Sequence, residues 1–207
     1  MTSRPPNPSR ALVGRRLAAF PRRARPADGL TSAAVAVTVV EHAGVEPAVL
    51  VTVRTDHLRA HSGQFALPGG RVEAGESVAD AALRELAEEL GVDRGPDDVV
   101  GVLDDLPTRS GYLITPVVVW AGHVPVMAPD PDEVAEVHEV AFRDLDRPAV
   151  PRFHPSGDPD RPLIEFPLLG TSIYAPTAAI LYQFREVALR GQPTRVHHLE
   201  QPRFAWE

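Results

Sequence analysis

The chain has 207 residues, a formal net charge of −7 and no cysteine. The length suits one domain with its own core, and 43% hydrophobic with 24% charged residues marks an ordinary globular protein rather than a disordered one. The acidic balance argues against nucleic acid as the main partner, because phosphate backbones repel it, but leaves room for a small phosphorylated ligand in a local pocket. The lack of cysteine excludes disulfides, zinc–thiolate sites and thiol catalysis within these 207 residues.

No apolar run reaches the roughly 18 residues that span a bilayer, so neither a membrane segment nor a membrane partner is expected, and cytoplasmic residence is the expectation. All 21 basic residues are arginine, a bias of the kind a GC-rich genome imposes. Residues 1–27 hold seven of them and no acid before Asp28. This basic segment reads either as a targeting peptide or as a tail followed by a short helix over residues 12–20. It has no apolar centre of the secretory type. Residues 28–191 then read as the main domain and residues 192–207 as a C-terminal tail without periodicity.

Within that domain, residues 33–40 (AAVAVTVV) and Ala48–Arg54 (AVLVTVR) are apolar, β-branched runs joined by a turn with Gly and Pro. They read as two buried strands. Leu67-Pro68-Gly69-Gly70 breaks regular structure. Residues 77–90 form the clearest helix. Ser77 stands at the N-cap with Asp80 three residues on; Val78, Ala81, Ala82, Leu86 and Leu90 fall on one face, and Gly91 sits at the C-cap. Residues 99–103 and 113–121 follow as strands, the second with Pro116 inside it, which suggests an edge position or a bulge. Residues 134–142 read as another strand and residues 144–160 as a loop. Residues 163–166 and 172–174 form a closing hairpin, and residues 177–190 a second long helix. No internal repeat is present. Helices mixed with strands in this order give an α/β class, with helices packed on a mixed sheet.

The chemistry concentrates on the first long helix. Glu85, Glu88 and Glu89 stand at i, i+3 and i+4, which puts their Cβ atoms roughly 5–6 Å apart on one face. Three carboxylates that close repel one another unless a divalent cation sits among them, and hard cations such as Mg²⁺ and Mn²⁺ take oxygen ligands. Arg84 is placed to orient one carboxylate, and Gly69 and Gly70 let backbone approach a metal or phosphate. The competing reading is a solvated acidic face paired with arginine. His57 and His61 are four apart, but Leu58 stands where a zinc protease needs glutamate.

Taken whole, Gly70, Glu76, Arg84, Glu85, Leu86, Glu88, Glu89, Gly91 and Val92 resemble the Nudix box, with every position filled. The resemblance implies an α/β/α sandwich with a mixed β-sheet. It implies hydrolysis of a nucleoside diphosphate linked to another moiety, and Mg²⁺ or Mn²⁺ held by Glu85, Glu88 and Glu89 with the Gly69 carbonyl. The stretch before the box resembles the signature of the coenzyme A diphosphatase branch. Leu50, Thr52, Arg54, Arg59, Gly63, Pro68, Gly69 and Gly70 fit, whereas Val51, Thr55 and Leu67 depart. That branch implies coenzyme A as substrate, with 3′,5′-ADP and 4′-phosphopantetheine as products.

On this reading Glu85 and Arg84 are catalytic. Glu133, in a Pro-Asp-Glu-Val stretch matching the branch, is the candidate base, with Glu136 and Glu139 as rivals. Arg54, Arg59 and Gly70 bind substrate, although Arg54 and Arg59 read equally well as a solvated strand-end cation and a paired one. Phe65 is core or a wall for adenine. The partner is a small nucleoside diphosphate derivative, and a homodimer stays open. Two alternatives remain: a Nudix hydrolase of ADP-ribose, NADH or another nucleotide derivative, and a non-catalytic nucleotide-binding sensor of the same fold.

Overall fold

A computed structural model describes residues 7–55, 64–124 and 126–202. Helix α1 (Arg10–Ala19) precedes strands β1 (Thr31–Val40), β2 (Ala48–Arg54), β3 (Phe65–Ala66) and β4 (Gly69–Arg71). Helix α2 (Val78–Leu90) follows, then β5 (Val99–Val102), β6 (Leu106–Pro107), β7 (Tyr112–Gly122) and β8 (Val134–Ala141). The chain continues through the short helix α3 (Phe142–Leu145), then β9 (Arg152–His154), β10 (Leu163–Leu168) and β11 (Thr171–Tyr174). It closes with α4 (Thr177–Phe184), which widens into a π-helical turn over Arg185–Leu189.

Among the described residues, β1 to β8 form one mixed sheet and β9 to β11 a second, smaller one. The large sheet is mixed because β1 runs parallel to β7 over its whole length while the remaining pairs are antiparallel. Alternation along the strands sends side chains to two cores. Ala34, Ala36, Leu50, Val117 and Val119 pack against Ala81, Ala82, Leu86 and Leu90 of α2. Val37, Val39, Val49, Val51, Val118 and Trp120 face α1, α4 and the small sheet. Helices therefore cover both faces, which is the expected sandwich. Alanines on both β1 and α2 let the helix lie close to the sheet.

One feature of the sheet prepares the site. Strands β1 and β2 pair only at Val39–Val49 and Val40–Ala48. Beyond that point they splay. β4 takes up residues 33–35 of β1, β3 takes up Thr52 and Val53 of β2, and the Ala36 amide donates to the Pro68 carbonyl at 2.8 Å. The Leu67-Pro68 break is a wedge that opens the sheet where the glutamate helix crosses it.

Three expectations need correction. Strand β7 is central, not an edge, despite Pro116. The Pro116 carbonyl accepts from the Leu103 amide at 2.9 Å, and N and O of one strand residue face the same side. The missing N–H therefore points to the gap between the end of β5 at Val102 and the start of β6 at Leu106, where no ladder bond is lost. Residues 144–160 are not wholly loop: β9 lies among them and pairs with β10. The expected hairpin is present but runs longer, from Leu163–Leu168 to Thr171–Tyr174.

The basic N-terminal segment also has a definite place. Helix α1 buries Val13 and Leu17, and a Cβ on Gly101 of β5 would stand 2.6 Å from the Leu17 Cβ. After the helix, Asp104 and Asp105, both buried, tie the chain down. They accept from the Arg23 and Arg25 amides at 2.7 Å each, and Arg22 pairs with Asp105 at 2.7 Å. Arg195 from the C-terminal stretch closes on Asp104 at 2.7 Å, and Val196 and Leu199 join the core. Leu17→Ala is expected to lower unfolding free energy by about 2–5 kcal/mol, the usual loss for a buried leucine, read from the urea midpoint at unchanged slope. A loss below about half a kcal/mol would mean that α1 rests on the domain without belonging to it.

Candidate active site

Helix α2 begins with a side-chain cap: the Asp80 amide donates to Ser77 Oγ at 3.1 Å. It ends at Gly91, whose φ of 66° is left-handed and whose Cβ, if present, would press on Ala128 Cβ at 2.9 Å. The last turn leaves carbonyls without helical partners. The loop after β7 fills two of them: Ala128 N–H donates to Leu90 O and Asp130 N–H to Glu89 O, each at 2.9 Å. This fixes the loop carrying Glu133 to the end of the glutamate helix.

The same loop is held from the other side by Thr55. The Thr55 amide donates to the Glu133 carbonyl at 3.2 Å, and its buried hydroxyl donates to the Asp132 carbonyl at 2.9 Å. Thr55 was a departure from the Ser or Ala of the resembling signature. Its hydroxyl has a task that Ser shares and Ala does not, and the sequence showed only the mismatch.

Arg84 is the hub of the acids. Its Nε donates to Glu76 at 2.9 Å, and its Nη1 to Glu85 at 2.8 Å and Glu88 at 2.9 Å. Its Nη2 donates to the Arg71 carbonyl at 3.0 Å and Glu76 at 3.2 Å. These bonds hold the guanidinium charged more firmly than usual, the Glu76 bond contributing most. The Arg84 bond, in turn, holds the Glu76 carboxyl below its ordinary range. Glu76 also accepts from the Glu73 amide at 2.9 Å, so it supports the turn into the helix.

The three candidate ligands differ in surroundings. Glu88 is exposed, Glu85 is partly buried, and Glu89 is 3% exposed. Burial pushes the Glu85 carboxyl up, with Arg84 opposing. Burial pushes Glu89 up to about 7, against the pull of the Gly69 amide and of Arg54, while the charges of Glu133 and Glu85 add to the rise. Glu133 itself is exposed, yet its charge reaches both Glu85 and Glu89. Of its rivals, Glu139 is paired with His42 at 3.1 Å and Glu136 lies 2.8 Å from His138.

The glycine pair lies directly against this helix. The Gly69 amide donates to Glu89 Oε1 at 3.1 Å. A Cβ on Gly69 would meet the Ala34 carbonyl at 2.4 Å, and one on Gly70 would meet Glu85 Oε1 at 2.1 Å. Backbone packing thus requires glycine at position 69, whereas a side chain at position 70 would displace the Glu85 carboxylate. The contact made at Gly69 is through its amide, whereas the sequence pointed to its carbonyl.

Beside the glycines opens a cavity of about 340 Å³, lined by Arg54, Phe65, Gly70, Arg71, Tyr112 and Ile180 among others. Phe65 is half-buried, packed on the core and also on the cavity wall. Arg59, His57 and His61 lie outside the described residues. Neither Arg71 nor Tyr112 had been singled out in the sequence. They are 41 residues apart, and only the β1–β4 and β1–β7 pairings bring them together.

The donor set suits a hard divalent cation. It is all oxygen, and it includes a buried carboxyl that a cation would help to ionise. Among the described residues, no three acidic or histidine side chains enclose an ion as they stand, because Glu85 and Glu88 turn to Arg84 and Glu89 to the Gly69 amide. Those bonds are what a bound cation would compete with.

A mixed sheet lies between helix layers, and an arginine-ordered glutamate helix rests against a glycine pair. The NUDIX domain model matches residues 30–160, well over half of the chain, and the chain belongs to the Nudix family. It is similar to an uncharacterized Nudix hydrolase, NudL, of Cronobacter sakazakii, 39% identical over 139 residues, covering 65% of this chain and 69% of that one. The NudL of Pectobacterium atrosepticum is 36% identical over 137 residues, covering 66% and 69%. Among solved structures, a MutT/nudix family protein of Enterococcus faecalis shares the fold at a TM-score of 0.51 and 20% identity, over 76% of this chain and 62% of that one. The protein is therefore a Nudix hydrolase, of a family that acts on nucleoside diphosphate derivatives with divalent metal ions. No helix among the described residues is long and apolar enough to cross a membrane.

The raised Glu89 pKa has a consequence for the metal-free protein. A carboxyl whose folded pKa exceeds its unfolded value stabilises the fold below the unfolded pKa, and that stability is lost as pH rises through the folded pKa. With a rise from 4.5 to about 7, the metal-free protein is expected to lose stability between about pH 4.5 and 7, by up to about 3 kcal/mol. Glu89→Gln should flatten this slope in denaturant titrations run in chelator. An identical slope in both proteins would show that Glu89 ionises freely.

Proposed function

We propose that the protein hydrolyses the diphosphate linkage of coenzyme A or its derivatives, with Mg²⁺ or Mn²⁺, to 3′,5′-ADP and 4′-phosphopantetheine. One observation carries this reading. Leu50, Gly69 and Gly70, from the stretch that resembles the coenzyme A branch, lie against the glutamate helix. Arg54, Gly69 and Gly70 line a single cavity, and the two glycines also touch Glu89 and Glu85. A cavity of this size, part apolar and part cationic, suits a nucleotide joined to a longer arm.

In this reading Glu85, Glu88 and Glu89 hold the metal, with the Gly69 carbonyl as a further oxygen. When bound, a cation would supply positive charge to offset that developing on the diphosphate oxygens. The chain's own residues do the rest. Arg84 fixes the Glu85 carboxylate in place. Arg54 and Arg59 bind phosphate oxygens through their guanidinium forks, and the Gly70 backbone lets the diphosphate approach. Glu133 accepts the proton of the attacking water. The water oxygen bonds to phosphorus, the bridging P–O bond breaks, and the leaving phosphate departs with that oxygen. Thr55 is a positioning residue that holds the Glu133 turn.

Product chromatography after incubation with coenzyme A, ADP-ribose and NADH, each with Mg²⁺ and with Mn²⁺, tests the reading. Release of 3′,5′-ADP from coenzyme A well above turnover of the others is expected. Preferential cleavage of ADP-ribose or NADH would retain the glutamate site and discard the coenzyme A assignment. Glu88→Gln and Glu89→Gln should each lower kcat by at least about a hundredfold, more than loss of a group that merely supports a metal ligand usually costs, with the fold retained by circular dichroism. Full kcat in both variants would remove the metal assignment. Thr55→Val should lower kcat by about tenfold through misplacement of Glu133, and Thr55→Ser should restore it. A Thr55→Val enzyme with unchanged kcat would leave the clamp structural only.

A further inference from the structure

The charged groups that reach the cavity determine what it recognises beyond the diphosphate. Two arginines line it, Arg54 and Arg71, and the described lining residues include no Asp or Glu. The two are not equivalent. Arg54 lies on the acid side, where its charge acts on Glu89. Arg71 projects across the β1–β7 pair toward Tyr112. Its guanidinium carbon is 5.9 Å from the Tyr112 ring centroid, and its Nη2 lies 3.4 Å from the Tyr112 hydroxyl.

Other nearby arginines are already committed. Arg84 is bonded to three carboxylates. Arg109, on the β6–β7 turn next to Ser110, is closed onto Glu200 by two bonds of 3.1 and 2.7 Å. Arg71 has an exposed side chain and no carboxylate partner among the described residues. Its backbone is nonetheless fixed, through register with Ala33 and through its carbonyl, which accepts from Arg84 at 3.0 Å.

The opposite wall is held as firmly. Thr108 Oγ1 accepts from the Tyr112 amide at 3.0 Å and donates to the Tyr112 carbonyl at 3.1 Å, and the Ser110 hydroxyl stands 3.0 Å from it. Thr108, Ser110 and Tyr112 all line the cavity. An uncommitted guanidinium faced by hydroxyls on a rigid turn suits a compact dianion. The fork supplies parallel N–H bonds and the hydroxyls supply further donors.

We propose that Arg71, with the hydroxyls of Tyr112 and Ser110, forms a subsite for a phosphomonoester that the substrate carries apart from its reacting diphosphate. The subsite deepens the coenzyme A reading and rests on it, since that substrate carries one such group, the 3′-phosphate on its ribose. Arg71 then separates nucleotides with the extra phosphate from those without it, while Arg54 serves the diphosphate common to both.

Calorimetric titration of the full chain with adenosine 3′,5′-bisphosphate and with 5′-AMP tests the subsite without relying on turnover. The wild-type protein should bind the bisphosphate at least about tenfold more tightly, as one charge-assisted fork allows. Arg71→Ala should bring the two ligands to within about twofold of each other. Arg71→Lys should recover part of the preference, and Tyr112→Phe should lose part of it. Equal affinities in the wild type, a preference that persists in Arg71→Ala, or equal weakening of both ligands would overturn the proposal. The product assay separates this from the parent reading. An Arg71-dependent preference without coenzyme A cleavage would keep the subsite and drop the substrate, and cleavage with a preference indifferent to Arg71 would do the reverse.

Discussion

A carboxyl group cannot be buried in a protein and remain charged unless something nearby answers its charge. Glu89 sits under that constraint, and much of the local architecture can be traced to it. Its oxygen takes the Gly69 amide, which is available because the chain at Leu67-Pro68 has been driven between β1 and β2. Arg54, at the end of β2, adds a positive field from the other strand of the splayed pair. The opened sheet is therefore more than an irregularity. It brings one N–H and one cation to a buried acid held against Gly69, which lines the cavity.

Arg84 solves the complementary problem on the wetter side of the helix. Glu85 and Glu88 lie one turn from it or adjacent to it, and Glu76 lies across the entry loop. A guanidinium has five N–H donors in a rigid plane. Here they are shared among three carboxylates and a backbone carbonyl of β4. An ammonium in its place would have three donors and no fixed fork. The helix, the loop before it and β4 are thus tied to one side chain. A cation entering among the glutamates would take Glu85 and Glu88 away from Arg84 without unfastening the loop, because the Glu76 and Arg71 bonds would remain.

The parts of this fold that were legible in the sequence are those governed by neighbours in the chain. Residues 33–40 carry a nearly continuous apolar, β-branched run and residues 77–90 a helical pattern, both of which burial then satisfies. The acid triplet and its arginine are likewise readable, since all of them fall within six consecutive residues of α2. What escaped depends on distant partners. Pro116 signals an edge strand until the break between β5 and β6 is known to lie beside it. The short helix at the N-terminus is one of the two readings of that segment, but its place, set by Gly101 and by two buried aspartates after it, is not legible there. Thr55, Arg71 and Tyr112 carry no local signature at all. Thr55 acquires its task from a turn 77 residues away.

The glycine pair changes the usual argument for such residues. In a sequence, adjacent glycines before an acidic helix suggest backbone left bare for a ligand. In this structure protein atoms oppose a side chain at each before any ligand is considered: at Gly69 the β1 backbone, which demands glycine, and at Gly70 the Glu85 carboxylate, which would have to move. A side chain at position 70 would push Glu85 away from Arg84, and one at position 69 would pry β4 from β1 and withdraw the amide that Glu89 needs. Access for a diphosphate then follows from the same close approach, since the segment that lines the cavity is also the segment pressed against the acids. The cavity wall and the acids of α2 are in this way held together by one short piece of chain. A shift of β4 would misplace both together, so the geometry linking them is preserved by packing rather than left to the ligand to assemble.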